Sequence, residues 1–202
     1  MTLLQPGEAA DFRALFDALA MAFETEGRPG GDEAVAALRA ADTAAYRRAA
    51  SASHPGALLE EACALVGALP EAGLVLACRR LIDWTCWQGE GLDAGVSARL
   101  HAAELVGPDG HIPAKNVRIG LLVSEPDTNY PVSSHSGEET YFVISGTAEW
   151  TVGDEPYRAR APGTLIHHPA WVPHGRRTLT EPFLGAWRWS GDLDLASFRV
   201  ER

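Results

Sequence analysis

Apolar positions recur with a helical period in the first part of the chain and at short, often alternating intervals in the second. In "EAADFRALFDALAMAF" the residues Phe12, Leu15, Phe16, Leu19 and Phe23 fall on one face of a helix. "DEAVAALRAADTAAYRRAA" repeats the theme with alanine-rich spacing, and "HPGALLEEACALVGAL" and "EAGLVLACRRLIDWTCW" add two candidates separated by Pro70. The pattern predicts helices from about residue 7 to 90, with Trp84 and Trp87 three apart on the last as core anchors. After "QGEGLDAG" the character changes to short runs bounded by Gly, Pro and Asp. These predict strands near 99–106, 117–123, 138–144, 147–152, 156–160, 163–168, 172–179 and 183–189. Eight short strands joined by turns such as "VGDEP" fit a closed barrel or jelly roll. The expected organisation is a helical region over 1–95 packed on a β-barrel over 96–202, forming one compact, mainly β unit.

Composition narrows the function classes. With 46% hydrophobic and 22% charged residues in 202, the chain has the make-up of a folded globular protein. A formal charge of −10, with Lys115 the only lysine, leaves no basic face for a phosphate backbone, so nucleic acid is not an expected partner. No apolar run reaches the length of a membrane span, and "MTLLQPGEAADF" lacks the basic and apolar regions of an export signal. The expected location is cytoplasmic, with no membrane partner. Cys63, Cys78 and Cys86 lie in helical-looking segments and read as reduced, buried thiols without a functional role.

The chemistry concentrates in "SSHSGEETYFVISG". On a strand here, Glu139, Tyr141 and Val143 share one face while Thr140 and Phe142 take the other, and Glu138 points away from Glu139. His135, four residues before Glu139, can share its face. A carboxylate inside a barrel is costly unless compensated, and a histidine beside it makes a divalent metal the economical explanation. A third ligand is offered 35 residues after Glu139, at His174 in "APGTLIHHPAWVPHG". His167 and His168 alternate faces, so one of them is expected to line the barrel as a hydrogen-bonding partner rather than a ligand. His54, His101 and His111 read as surface or loop residues. Two readings of Tyr141 stay open on residue type alone, catalysis and core packing, and Tyr130 carries less signal.

His135, three residues, Glu139, six residues and Gly146 resemble the first cupin motif, and "PG" followed by "PAWVPH" resembles the second. The resemblance implies a double-stranded β-helix barrel holding one divalent metal on His135, Glu139 and His174. Ser133 stands where most cupins have the first histidine of a pair. "NYP", "EETYFVISG", "HHPAWVPH", "WRWSGDL" and the helical N-terminal half together resemble the cupin-type dimethylsulfoniopropionate (DMSP) lyases and their lyase-like relatives. In that family Tyr141 would lie at or beside the metal and Tyr130 would be a second active-site tyrosine.

The implied reaction is β-elimination of DMSP, or a close analogue, to acrylate and dimethyl sulfide. Tyr141 would act as base, with Tyr130 assisting. Trp171, Trp187 and Trp189 are candidate aromatic hosts for a sulfonium cation. Zinc and iron are the foremost metals, with manganese, cobalt and nickel open. The expected partner is a small-molecule substrate, on a monomer or homodimer. Competing readings are a non-haem iron cupin oxygenase and a non-catalytic cupin that binds a small ligand.

Overall fold

The computed structural model describes residues 4–48 and 53–201. Helix α1 (Pro6–Glu24) begins with Pro6, whose missing N–H costs nothing at that position, and the Glu8 carboxylate accepts the Gln5 N–H at 2.8 Å. Helices α2 (Pro29–Ala40), α3 (Gly56–Cys63), α4 (Pro70–Cys78) and the short α5 (Ala94–Ser97) follow. The strands are β1 (Thr85–Cys86), β2 (Leu100–Gly107), β3 (Ile112–Pro113), β4 (Arg118–Ser124), β5 (Asn129–Ser134) and β6 (Glu138–Ser145). The remainder are β7 (Ala148–Val152), β8 (Arg158–Arg160), β9 (Leu165–His168), β10 (His174–Thr178), β11 (Phe183–Ser190) and β12 (Arg199–Val200).

The strands form two sheets. One runs β1-β2-β4-β11-β6-β9 with β3 attached to β2, and the other runs β12-β5-β10-β7-β8. Apart from the β2–β3 pair, the strand pairs are antiparallel, and side chains from both sheets meet in a lumen. This is a cupin barrel with helices laid against the outside of its larger sheet. All eight expected strands are present.

Two apolar cores explain the sequence pattern. The outer core joins Phe12, Leu15, Phe16, Leu19 and Phe23 of α1 to Ile119, Leu121, Val123 and Phe142 of the larger sheet. Burying each such large side chain contributes about 1.5–3 kcal/mol. The inner core contains Leu100, Leu122, Val143, Trp150, Ile166 and Phe183 inside the barrel. Strand β4 is buried along its whole length, because helices cover one face and the lumen the other. Its sequence, "RIGLLVS", therefore shows no polar alternation.

The helices are also tied to the barrel by charge. Arg188 on β11 is completely buried, bonded to the Glu26 carboxylate beyond α1 and, at 2.9 Å, to Glu138. Thr140 donates to Glu26 at 2.7 Å, and His167 lies 3.1 Å from the Thr140 hydroxyl. Glu138 thus points out of the lumen, as its strand parity requires.

The structure corrects several expectations. The helical pattern ends at Cys78, and Cys86 lies on β1, which pairs with β2. Trp84 and Trp87 therefore flank the two-residue strand β1: Trp84 is core, but Trp87 faces the pocket. Only Cys78 is buried, while Cys63 and Cys86 are half-buried. Burial pushes the Cys78 thiol up to about 12 and the Cys63 thiol to about 11. The stretch after Ala40 opens into a 3-10 turn at Thr43–Ala45, and its last residues, Ala49 and Ala50, lie outside the described residues. His111 is buried, not a surface residue: Nδ1 donates to the Arg47 carbonyl at 2.8 Å and Nε2 accepts the Asp83 N–H at 3.1 Å. His101 is half-buried on β2. Among the described residues, no helix is long and apolar enough to cross a membrane.

Candidate metal centre and active-site pocket

The two motif glycines act through the backbone. Gly146 closes the β6–β7 turn at φ +74°, and a Cβ there would stand 2.1 Å from the Pro182 carbonyl oxygen. Gly163 turns the chain into β9 at φ +87°. Both conformations are strained for residues with a side chain. These turns deliver Glu139 and His168 to opposite positions of the β6–β9 ladder. His174 opens β10, opposite the buried Ser133.

His135, Glu139 and His174 are all buried and converge, with one ligand atom from each lying within 4.8 Å of the others. Nδ1 of His135 donates to the Gly137 carbonyl at 2.9 Å, and Nδ1 of His174 donates to the Val172 carbonyl at 2.9 Å. In both rings the Nε2 lone pair is thereby left facing Glu139 Oε2, at 3.4 and 3.8 Å. The other carboxylate oxygen accepts the Trp189 indole N–H at 2.7 Å, and the Trp189 ring stacks on His135 at 4.0 Å. Two neutral imidazole nitrogens and one carboxylate oxygen, each oriented from behind, fit a divalent ion.

His168 stands beside this set. Its Nδ1 lies 3.1 Å from Glu139 Oε2, its ring stacks on His174 at 4.0 Å, and its buried Nε2 meets no hydrogen-bond partner among the described residues. His168 is thus the inward member of the His167–His168 pair, whereas His167 faces the Glu26–Arg188 network.

Electrostatics agree with the donor roles. Burial raises the Glu139 carboxyl, but the imidazoles of His135 and His168 beside it outweigh that and hold the group well below the usual carboxylate range. Burial, reinforced by the neighbouring histidines, lowers His174 strongly, and burial likewise lowers His168 despite the nearby Glu139. Both rings stay neutral in the fold below the ordinary histidine value of 6.5, where the unfolded chain takes up protons. The unfolded state then binds more protons, so stability falls as pH falls. Thermal melts of chelator-treated protein are expected to hold a constant Tm down to about pH 6.5 and to decline below it. A Tm that rises on acidification through that range would contradict the assignment of these histidines as neutral.

The pocket has a second tier, two residues further along three strands: Tyr141 after Glu139, Arg176 after His174 and Trp187 before Trp189. A two-residue step along a strand is about 6.5 Å. Tyr130 on β5 and Trp150 on β7 complete this tier, and Trp87, Leu195 and Phe198 line the pocket beyond it. Burial raises the phenols of both Tyr130 and Tyr141.

The candidate residues therefore separate. His135, Glu139, His174, Tyr141, Tyr130, Trp187 and Trp189 all line one pocket. Trp171 does not: it is 48% exposed at φ +62°, under the Arg199 guanidinium at 4.7 Å. Its contribution is through the backbone, since its N–H donates to the His135 carbonyl at 2.8 Å. Sequence reasoning overlooked Arg176, Trp150 and Phe198. Strand parity with His174 was a signal for Arg176, but the strand "HGRRT" reads as a solvated one.

The double-stranded β-helix places the protein among the cupins, and its lumen presents a ligand set of the kind that suits one divalent ion. The dimethylsulfoniopropionate lyase family model matches residues 34–185, most of the chain, and the protein belongs to that family. Its sequence is 30% identical over 122 residues to the DMSP lyase DddQ of Ruegeria pomeroyi, covering 60% of this chain and 61% of the relative. It is 29% identical over 123 residues to a putative DMSP lyase, DddL, of Cereibacter sphaeroides, covering 59% of this chain and 51% of that one. The matched regions thus span between half and two thirds of these relatives. The crystal structure of the Ruegeria pomeroyi DddQ superposes with a TM-score of 0.72 at 24% identity, over 93% of this chain and 96% of that one. At that identity the likeness speaks for the fold.

Proposed function

We propose that the protein is a metal-dependent carbon–sulfur lyase that cleaves DMSP, or a close analogue, by β-elimination. The observation that carries this reading is the position of Tyr141: two residues from Glu139 on the same strand, inside the same pocket as the two histidines. Family membership supports DMSP as the substrate class. The residues that would hold the ion are His135, Glu139 and His174, with zinc or iron foremost.

The α-hydrogen of DMSP is weakly acidic, because its removal adds negative charge beside an existing carboxylate. Burial pushes the Tyr141 phenol well above its ordinary value of 10, the Glu139 carboxylate adds to the rise, and Arg176 opposes it. When bound, a divalent ion supplies positive charge that favours the phenolate and offsets charge building on the substrate carboxylate. Tyr141 Oη takes the α-proton; the C–H electron pair forms the Cα–Cβ double bond; the Cβ–S bond breaks and its electrons leave with neutral dimethyl sulfide. Acrylate remains, and Tyr141 returns its proton to solvent, with Tyr130 placed in the same tier to relay it. Trp87 and Trp187 offer aromatic surface to the departing sulfonium end, at about 0.5–2 kcal/mol per contact. The inner walls of the barrel and the buried ligand set exclude bulk water from this tier.

Replacing Tyr141 with phenylalanine is expected to lower acrylate formation about 100-fold, the lower range for loss of a general base, while leaving metal uptake intact. Proton NMR of DMSP turnover under argon checks this, since elimination needs no oxygen. Unchanged turnover in the phenylalanine variant, or a requirement for oxygen, would overturn the reading.

A further inference from the structure

Three arginines of the barrel are buried among the described residues, and they are treated differently: Arg118 on β4 is matched by the Glu104 and Asp109 carboxylates. Arg188, outside the lumen, is matched by the Glu26 and Glu138 carboxylates. Arg176, 4% exposed and inside the lumen, has no carboxylate within ion-pair distance among the described residues. Its guanidinium donates to the neutral Ser124 hydroxyl at 2.9 Å and lies 5.0–5.7 Å from the rings of Phe183, Trp150, Tyr130 and Tyr141. Aromatic faces offset part of the desolvation of a cation, at about 0.5–2 kcal/mol each. A buried charge without its counter-ion still carries a penalty of several kcal/mol.

The charge count of the pocket points the same way. Of the carboxylate and guanidinium side chains that line the pocket, Glu139 supplies one negative charge and Arg176 one positive, so these two offset each other before any ion enters. A divalent ion on the first tier leaves two positive charges in a low-dielectric lumen. An anionic ligand group is the economical way to meet them. The aromatic faces around Arg176 are already occupied by the protein's own cation, which leaves no room there for a sulfonium.

We propose that Arg176 is the docking group for the carboxylate of an acid substrate, with planar, two-pronged recognition from the second tier of the pocket. For the identity of that acid the proposal rests on the lyase reading above; for the existence of the anion site it rests on Arg176 alone. A carboxylate held there has its α carbon beside Tyr141, whose ring is 5.7 Å from the guanidinium carbon. The cationic end of the same ligand is then directed away from Arg176, toward the Trp87 and Trp187 side of the pocket. Arg176 thereby selects zwitterions and acids over simple sulfonium or quaternary ammonium ions.

The test is calorimetric titration of the full-length protein, both metal-loaded and chelator-treated, with sodium propionate and separately with tetramethylammonium. Propionate is expected to bind in both metal states, and tetramethylammonium in neither. Arg176→Met should weaken propionate at least 50-fold, and Arg176→Lys, which keeps the charge but not the fork, about 10-fold. Metal uptake by both variants should stay at the wild-type stoichiometry. If Arg176→Met does not fold, Arg176→Lys and Ser124→Ala carry the comparison, with the lysine variant again expected to weaken propionate about 10-fold. Propionate binding that survives Arg176→Met, or that appears only after metal is added, overturns the proposal. Propionate binding through Arg176 in a protein that releases no dimethyl sulfide would sink the lyase reading and leave the acid site standing.

Discussion

Replacing Glu139 with glutamine, or His174 with alanine, is expected to abolish metal retention through gel filtration and to lower lyase turnover by about 10³–10⁴-fold, several kcal/mol of lost charge stabilisation. Glu139 Oε2 lies 3.4 and 3.8 Å from the two Nε2 atoms, so removing its charge leaves two neutral imidazoles facing an amide. The same substitution disturbs the Trp189 indole donor at 2.7 Å and the His168 donor at 3.1 Å. Circular dichroism of the variants separates lost chemistry from lost fold. Elemental analysis is the deciding measurement: a Glu139→Gln protein that keeps a full equivalent of metal on the wild-type ligands would remove the carboxylate from the set.

Substituting Arg188 with methionine is expected to destabilise the protein by about 3–5 kcal/mol, because it strands the Glu26 carboxylate in a buried site. For a chain of this size that corresponds to a fall in Tm of roughly 10 °C. The cause is the isolated charge rather than a lost attraction. Replacing Glu26 and Arg188 together by methionine should therefore recover much of the loss. Denaturant melts of the two single variants and the double variant check this, and a double variant as unstable as Arg188→Met alone would show that shape, not charge, holds α1 to β11.

Much of the barrel was legible because its strands are short, apolar and punctuated by Gly and Pro. Strand β5 escaped because "NYPVSS" contains Pro131 and reads as a loop. The structure accommodates Pro131 where the β5–β10 register shifts, between Tyr130 opposite Arg176 and Ser133 opposite His174, so the missing N–H falls at an irregularity. That Glu139 and Tyr141 share one face was readable from strand parity, and both line the pocket. The positions of the tryptophans were not readable, since a period of two says which side chains share a face but not which face is inward. Trp187 and Trp189 turned inward, whereas Trp171 sits on a left-handed turn that no apolar pattern announces. Arg176 was hidden by its neighbour: Arg177 is exposed and paired with Glu149 at 2.6 Å, so the pair reads as a solvated strand. His111 was misread because burial of a neutral ring depends on two backbone partners, the Arg47 carbonyl and the Asp83 N–H, which lie far from it along the chain.

The most direct test is a titration of divalent metal into chelator-stripped protein supplied with DMSP, with dimethyl sulfide followed in the headspace. Turnover should rise in proportion to added metal and level off at one equivalent per chain, with acrylate formed one for one. Full turnover in the stripped protein, or none at saturating metal, would contradict a single-ion centre built on His135, Glu139 and His174.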